Sequence, residues 1–176
     1  MKMFENVILI GHKSRQGKDT FAQFLMDNSD WPVQRLQYSG RMKEILAELK
    51  QVSLEDLEEL KNNDPKCREK HQRFGSGKMK EFFGEDVWVQ QVIKQLTDPE
   101  TLYVIDDFRF NIERLPGAHT VKVVRPLADV PLFDTSHASE CELECYEFDH
   151  TIINNSTLED LEIQAIDLLV DLGFKE

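Results

Sequence analysis

An apolar run followed by a glycine-lysine loop constrains the fold of this chain more than any other feature. Val7-Ile8-Leu9-Ile10 precedes Gly-His-Lys-Ser-Arg-Gln-Gly-Lys-Asp-Thr at residues 11–20, and apolar residues resume at Phe21. The pattern predicts a buried strand over 7–10, a tight turn and a helix over 21–26. A glycine turn lets backbone N–H groups surround a phosphate, and the helix start adds the positive end of its dipole. The sequence therefore predicts a site for nucleotide phosphates formed by Gly11, Lys13, Gly17, Lys18, Asp19 and Thr20.

The spacing within this loop departs from the standard pattern. Five residues lie between Gly11 and Gly17, whereas the standard loop has four. Either His12 stands in the place of the first glycine, or the loop is one residue longer. Asp19 also occupies the position at which Ser or Thr usually binds Mg²⁺. A tight strand-to-helix turn with a surface lysine is the alternative interpretation.

Composition and charge limit the classes of protein to which the chain can belong. Its 176 residues can form one α/β domain with a sizeable core, and we expect a single domain over 1–176. The formal net charge of −12 argues against a general nucleic-acid or anionic-membrane surface. No apolar stretch is long enough for a membrane span, and three cysteines without close pairing fit a reduced compartment. We expect a cytoplasmic protein without nucleic-acid or membrane partners.

Apolar periodicity divides the rest of the chain into alternating strands and helices. Further strands are predicted over 33–38, 101–105, 120–124 and 151–153. Further helices are predicted over 41–50, from Leu54 after a Ser53 cap, over 85–96 and over 158–172. This alternation implies an α/β fold with a parallel, doubly wound sheet that helices cover on both faces. The ligand site is then expected at the carboxyl ends of the strands.

Carboxylates and basic residues fall at these predicted strand ends. Asp106 and Asp107 follow the predicted strand 101–105. In proteins that bind nucleotide phosphates, a carboxylate at such a position holds Mg²⁺ beside the phosphates. The alternative is that these aspartates form a turn or cap a helix. Phosphoryl transfer needs cations on the donor and acceptor phosphates. The candidate cations are Arg41, Lys43, Arg109 and Arg125. Arg109 is the strongest because it follows Asp107 by two residues.

Two side chains are candidates for an acceptor pocket. The ring of Trp88 could stack on a base, and the amide of Gln72 could read the edge of a base. Core packing is the alternative role for Trp88. A zinc site at His137, Cys141 and Cys145 is disfavoured, because acidic residues interrupt the series and no Cys-x-x-Cys occurs.

Five short motifs follow one another along nearly the whole chain. The first is Gly17-Lys18-Asp19-Thr20, and the second consists of residues 72–76 and 86–89. The third consists of residues 107–110 and Glu113, the fourth is 137–140, and the fifth consists of Phe148-Asp149 and residues 152–158. In this order they resemble the phage-type deoxynucleoside monophosphate kinases, which belong to the P-loop kinase group. The family shows Asp at the position of Asp19, but it tends to show Pro-Asn-Glu where this chain has Asn111-Ile112-Glu113.

The resemblance implies a three-layer P-loop kinase-like fold with a lid segment at about 126–140. It also implies transfer of the γ-phosphoryl group of ATP, with Mg²⁺, to a deoxynucleoside 5′-monophosphate. The catalytic residues would be Lys18, Asp19, Asp107 and Arg109, and the metal ligands Asp107, Asp106 and Asp19. The substrate-binding residues would be Arg41, Lys43, Gln72, Trp88, Arg109 and Glu140. A phage-encoded chain would act in the host cytoplasm, and the oligomeric state stays open between a monomer and a homodimer.

Two other functions remain open at this point. Dephospho-CoA kinase has a similar Asp…Ile-x-Asn ending, and phosphomevalonate kinase shares Gly-Lys-Asp, so another small phosphorylated metabolite is an alternative acceptor. A non-catalytic nucleotide-binding module is the other alternative. The intact Lys18, Asp107 and Arg109 argue against such a module.

Overall fold

The chain divides into two compact units. The computed structural model describes residues 3–126 and 141–176. The first unit, here the sheet unit, comprises Met1–Leu36 and Leu96–Glu176, and the second, here the inserted unit, comprises Gln37–Gln95. The predicted lid segment lies outside the described residues apart from Pro126. One domain over 1–176 stays a prediction, because compact units do not by themselves set domain boundaries.

The sheet unit contains a five-stranded parallel sheet. Its strands are β1 (Val7–Gly11), β2 (Val33–Leu36), β3 (Leu102–Phe108), β4 (His119–Val124) and β5 (His150–Ile153). The spatial order is β2-β3-β1-β4-β5, and every neighbouring pair is parallel. From β1 the chain runs to β2 and β3 on one side of β1, and it then crosses to β4 and β5 on the other side. The topological switch point therefore lies at β1. Ligands of open α/β sheets bind outside the carboxyl ends of strands at such a point.

Two helices of the sheet unit pack on each other beside this sheet. They are α1 (Lys18–Asn28) and the C-terminal helix, named α7 below (Leu158–Asp171). The core joins Phe21 and Leu25 of α1 and Leu168 of α7 to alternate residues of the strands, such as Ile8 and Ile10. All of β1 is buried, as predicted for a strand covered on both faces. The structure thus confirms the α/β class and the parallel sheet.

The inserted unit is helical. Its helices are α2 (Gly40–Lys50), α3 (Leu54–Asn63), α4 (Pro65–Gln72), α5 (Met79–Phe83) and α6 (Val87–Ile93), and a π-helical turn spans Arg73–Lys78. Ser53 and Asp56 form the capping box of α3, which confirms the predicted helix start. Leu46 and Leu57 lie in a small apolar core with Phe74 packed against it.

Three details differ from the sequence-based expectations. Strand β3 runs to Phe108, so Asp106 and Asp107 lie within the strand rather than after it. The helices between Pro65 and Phe83 were not predicted, because this charged stretch has no apolar stripe. Helix α6 is shorter than the predicted 85–96. Among the described residues, no helix is both long and apolar enough to cross a bilayer.

Candidate functional site

Three residues of the loop between β1 and α1, residues 12–17, have positive φ, and two of them lie at its ends. His12 has φ 81°, Arg15 has φ 59° and Gly17 has φ 95°. Such angles strain any residue except glycine, because a Cβ then crowds the carbonyl group. His12 therefore adopts the conformation expected of the first loop glycine. Gly11 is needed for a different reason, because a Cβ there would lie 2.8 Å from Cδ1 of Phe108. This geometry favours the first of the two predicted alignments, with His12 in the glycine place.

The strand ends on the β4–β5 side hold this loop in place. The side-chain Nδ2 of Asn154 donates to the carbonyl of Gln16 at 2.9 Å, and the backbone N–H of Arg125 donates to Oε1 of Gln16 at 2.5 Å. A Cβ on Gly17 would lie only 2.3 Å from Asn154 Nδ2. Asn154 thus contacts the loop at its glycine. The sequence motif 152–158 includes Asn154, but nothing in the sequence shows that it reaches residue 16.

Lys18 lies inside the loop that precedes it. The side chain of this first residue of α1 is buried, with 6% exposure, and its Nζ donates to the carbonyls of His12 (3.3 Å) and Lys13. The N-cap residue of α1 is Gly17, which has no side chain to cap the helix start. A buried ammonium at a helix N-terminus favours an anion. The structure therefore brings the predicted lysine and the predicted helix start into one loop.

His12 lies among several basic side chains, which affect its pKa. Burial is the main cause that lowers the pKa of His12 to about 4, and the neighbouring charges of Lys122, Lys13 and Lys18 lower it further. Its Nδ1 is buried without a hydrogen-bond partner among the described residues. Lys13 pairs with Glu144 at 2.7 Å. The His12 side chain is thus neutral at pH 7, in a loop that carries the basic residues Lys13 and Arg15.

A bulge between β1 and β3 separates the two aspartates. Leu9 pairs with Ile105 and Gly11 with Phe108, so Asp106 and Asp107 together face one residue of β1. A bulge re-aims the side chains of its strand. The Asp106 side chain is 1% exposed, whereas Asp107 is half-buried.

Arg35 belongs to the candidate site, and the sequence-based reasoning missed it. Its Nε donates to Oδ2 of Asp106 at 2.9 Å, and its Nη2 contacts Asp106 and, at 2.6 Å, Oδ1 of Asp19. Burial alone would lower the pKa of Arg35, but the charges and hydrogen bonds of Asp106 and Asp19 outweigh it and raise that pKa. A charged residue in β2, beside the strand that carries Asp106, was the available signal.

Arg109 reaches the loop from the end of β3. Its Nη2 donates to Oγ of Ser14 at 3.3 Å. Buried Glu113 accepts from the backbone N–H groups of Arg109 (2.7 Å) and Phe110 (3.0 Å), and so orders the turn from which Arg109 projects. Lys18 and Arg109 therefore both contact loop residues 12–17, as expected for cations of one phosphate site.

The other predicted substrate residues belong to the inserted unit or are not described. Arg41 pairs with Glu44 at 2.7 Å, and Lys43 pairs with Glu58 at 2.9 Å. Trp88 is 7% exposed, and its Nε1 donates to the carbonyl of Gly75 at 3.0 Å. Gln72 ends α4, and Glu140 lies outside the described residues. The geometry of Trp88 is that of a packed residue, and its role in stacking stays a prediction.

No group of three or more His, Cys, Asp or Glu side chains that could hold a metal occurs within residues 3–126 and 141–176. The disfavoured zinc series includes His137, which lies outside these ranges. Mg²⁺ does not require such a group, because it commonly takes one or two carboxylates, water and substrate phosphates. Asp19 and Asp107 stay predicted ligands of such an ion.

No protein-family model matches the chain. No curated protein is similar enough to count as a match.

Proposed function

We propose that this protein transfers the γ-phosphoryl group of ATP to a deoxynucleoside 5′-monophosphate. The observation that carries the proposal is the buried ammonium of Lys18, which lies within a loop at the N-terminus of α1, where the N-cap residue is a glycine. The Nζ of Lys18 donates to the carbonyls of His12 and Lys13, which places its ammonium against the backbone of the loop. A phosphate bound in this loop would bring its negative charge next to that ammonium.

The protein contributes positioning and charge rather than covalent chemistry. Lys18 and the N–H groups at the start of α1 would bind the donor phosphates, and the guanidinium of Arg109 would stabilise the charge of the transferring group. Asp107 and Asp19 would hold Mg²⁺, which would neutralise negative charge on the phosphates. Arg35 contacts the carboxylates of both Asp106 and Asp19, but Asp106 is less suited to that task because its side chain is 1% exposed, whereas that of Asp19 is 85% exposed.

The choice of a deoxynucleotide acceptor rests on the motif resemblance. The sheet order and the Gly-Lys loop are compatible with a three-layer P-loop kinase fold, and a lid at 126–140 belongs to the same proposal. Arg109 would bind the acceptor phosphate. The inserted unit, between β2 and β3 in the chain, carries the other proposed acceptor residues, which are Arg41, Lys43, Gln72 and Trp88. Glu140 is proposed with the lid.

A coupled ADP-release assay tests this function. The acceptors are dAMP, dGMP, dCMP, dTMP, hydroxymethyl-dCMP, dephospho-CoA and phosphomevalonate, each with ATP and Mg²⁺. We expect turnover with at least one deoxynucleotide and a loss of about 100-fold or more in Lys18→Ala, as for removal of one preorganised donor. Turnover with only dephospho-CoA or phosphomevalonate would favour another metabolite kinase. ATP binding without turnover would favour a non-catalytic module.

A further inference from the structure

Arg35 connects three elements of the sheet unit through a single guanidinium group. It projects from β2, and its Nε and Nη2 contact Asp106 of β3. Nη2 also donates to Asp19, which lies in the first turn of α1 directly after Lys18. We refer to Asp19, Arg35 and Asp106 as the carboxylate clamp.

The two ends of this clamp have different environments. The carboxylate of Asp106 is 1% exposed, so its pairing with Arg35 compensates a charge that water cannot reach. The side chain of Asp19 is 85% exposed, so its pairing is not needed to compensate burial. Arg35 itself is 29% exposed. Asp106 therefore serves as the anchor, and Asp19 is the group whose position depends on that anchor.

A guanidinium group suits such a clamp because it is planar and remains charged. Its donors point in fixed directions, so a guanidinium fixed on one carboxylate presents its remaining N–H groups in fixed positions. A lysine ammonium would supply the charge without the fixed fork. Asp19 would move among rotamers without this restraint, because it is exposed at a helix start.

We propose that Arg35 is a positioning residue that is anchored on Asp106 and holds Asp19 and the first turn of α1 in place. The consequence for activity rests on the proposed function, in which Asp19 is a ligand of Mg²⁺ beside Lys18. The restraint itself does not rest on that function. Arg35 thus acts through Asp19 and is not assigned a contact with substrate.

The test combines Arg35→Lys, Asp19→Asn and the double variant. Arg35→Lys keeps a positive charge near buried Asp106, so its thermal unfolding should stay close to that of the original protein. Each single variant should lower kcat by about three- to tenfold and raise the Mg²⁺ concentration for half-maximal turnover, with little change in KM for the acceptor. The double variant should be no worse than Asp19→Asn alone. If the two losses multiply, Arg35 acts independently of Asp19 and the proposal is overturned.

Hydrogen–deuterium exchange gives a readout that does not need activity. A peptide spanning residues 14–22 should exchange about three- to tenfold faster in Arg35→Lys and in Asp19→Asn than in the original protein. Lys175→Met is the matched control, because it removes an ion pair with Asp30 at the other end of α1, and it should leave this peptide unchanged. Unchanged exchange in Asp19→Asn would overturn the proposal even if Arg35→Lys failed to fold. Faster exchange in a protein that phosphorylates no acceptor would refute the proposed function but keep the restraint.

Discussion

Replacing Gly17 with alanine should destabilise the protein for two separable reasons. The first is backbone conformation, because φ at Gly17 is 95°, where a Cβ is strained. The second is a collision, because the new Cβ would lie 2.3 Å from Nδ2 of Asn154. That amide donates to the carbonyl of Gln16 at 2.9 Å, and it must move to accommodate the methyl group.

The magnitude of each part follows from ordinary values. Positive φ costs an alanine about 1–2 kcal/mol relative to glycine. Displacing the Asn154 amide removes a hydrogen bond worth about 0.5–1.5 kcal/mol. Gly17→Ala should therefore lower the free energy of unfolding by about 2–3 kcal/mol. Asn154→Ala should lower it by about 1 kcal/mol.

Gly173 offers a control for the backbone term alone. Its φ is 77°, and a Cβ there would meet nothing within 4 Å. Gly173→Ala should thus cost about 1 kcal/mol, clearly less than Gly17→Ala. Urea unfolding of the four proteins, including Gly17→Ala with Asn154→Ala, measures each term. The double variant should cost about 1 kcal/mol less than the sum of its single changes, because the collision and the hydrogen bond involve the same amide. Equal losses in the two glycine variants, or strict additivity in the double variant, would refute a contact between Asn154 and the loop.

Three further predictions concern the site. Arg109→Lys should lower kcat/KM for the acceptor by about 10- to 100-fold, because a charged hydrogen bond is worth ~1.5–3 kcal/mol. The KM for ATP should stay nearly constant. If steady-state kinetics instead show a loss of ATP affinity, Arg109 lies on the donor side, near Ser14. EDTA should abolish turnover, and Asp107→Asn should raise the Mg²⁺ requirement by about tenfold or more, which a magnesium titration measures against the original protein. Because the pKa of His12 is lowered to about 4 from an unfolded value of 6.5, its contribution to stability is complete above pH 6.5 and is lost as pH falls towards 4. The free energy of unfolding should therefore decrease less between pH 8 and pH 5 in His12→Gly than in the original protein, and identical decreases in urea unfolding would contradict this assignment.

Strong local patterns in the sequence predicted most of the sheet unit. Short unbroken apolar runs such as Val7–Ile10 that end in a glycine turn are typical of buried strands, and helices between the strands favour parallel pairing. The start of α3 was also predictable, from the capping box at Ser53. Helix α4 was not predictable, because its charged residues form no apolar face. Its start depends on the side chain of Asp64, which accepts from the backbone N–H of Lys66. Local capping chemistry determines that helix more than periodicity does.

The candidate site was predictable only where its residues are close in sequence. Lys18 and Gly17 follow from one motif, and Arg109 was inferred from its distance of two residues from Asp107. Arg35 contacts Asp19 of α1 and also Asp106, from which it is separated by 71 residues in the sequence. Asn154 contacts Gln16 of the loop, from which it is separated by 138 residues. Such contacts depend on strand order and on the bulge in β3, neither of which periodicity specifies.

The contrast between the overall charge and the loop charge bears on the class of ligand. The chain has a formal net charge of −12, yet Lys13, Lys18 and Lys122 all act on the pKa of His12. Exposed charges are largely screened beyond about 8 Å at physiological ionic strength, whereas the buried ammonium of Lys18 is screened much less. A small phosphate that enters the loop therefore interacts mainly with cations, while a polynucleotide lying across the surface would also meet the acidic side chains. We accordingly expect ATP affinity to depend only weakly on salt between 50 and 200 mM, which a titration at several salt concentrations measures. Salt-sensitive binding of single- or double-stranded DNA with comparable affinity would contradict this reasoning.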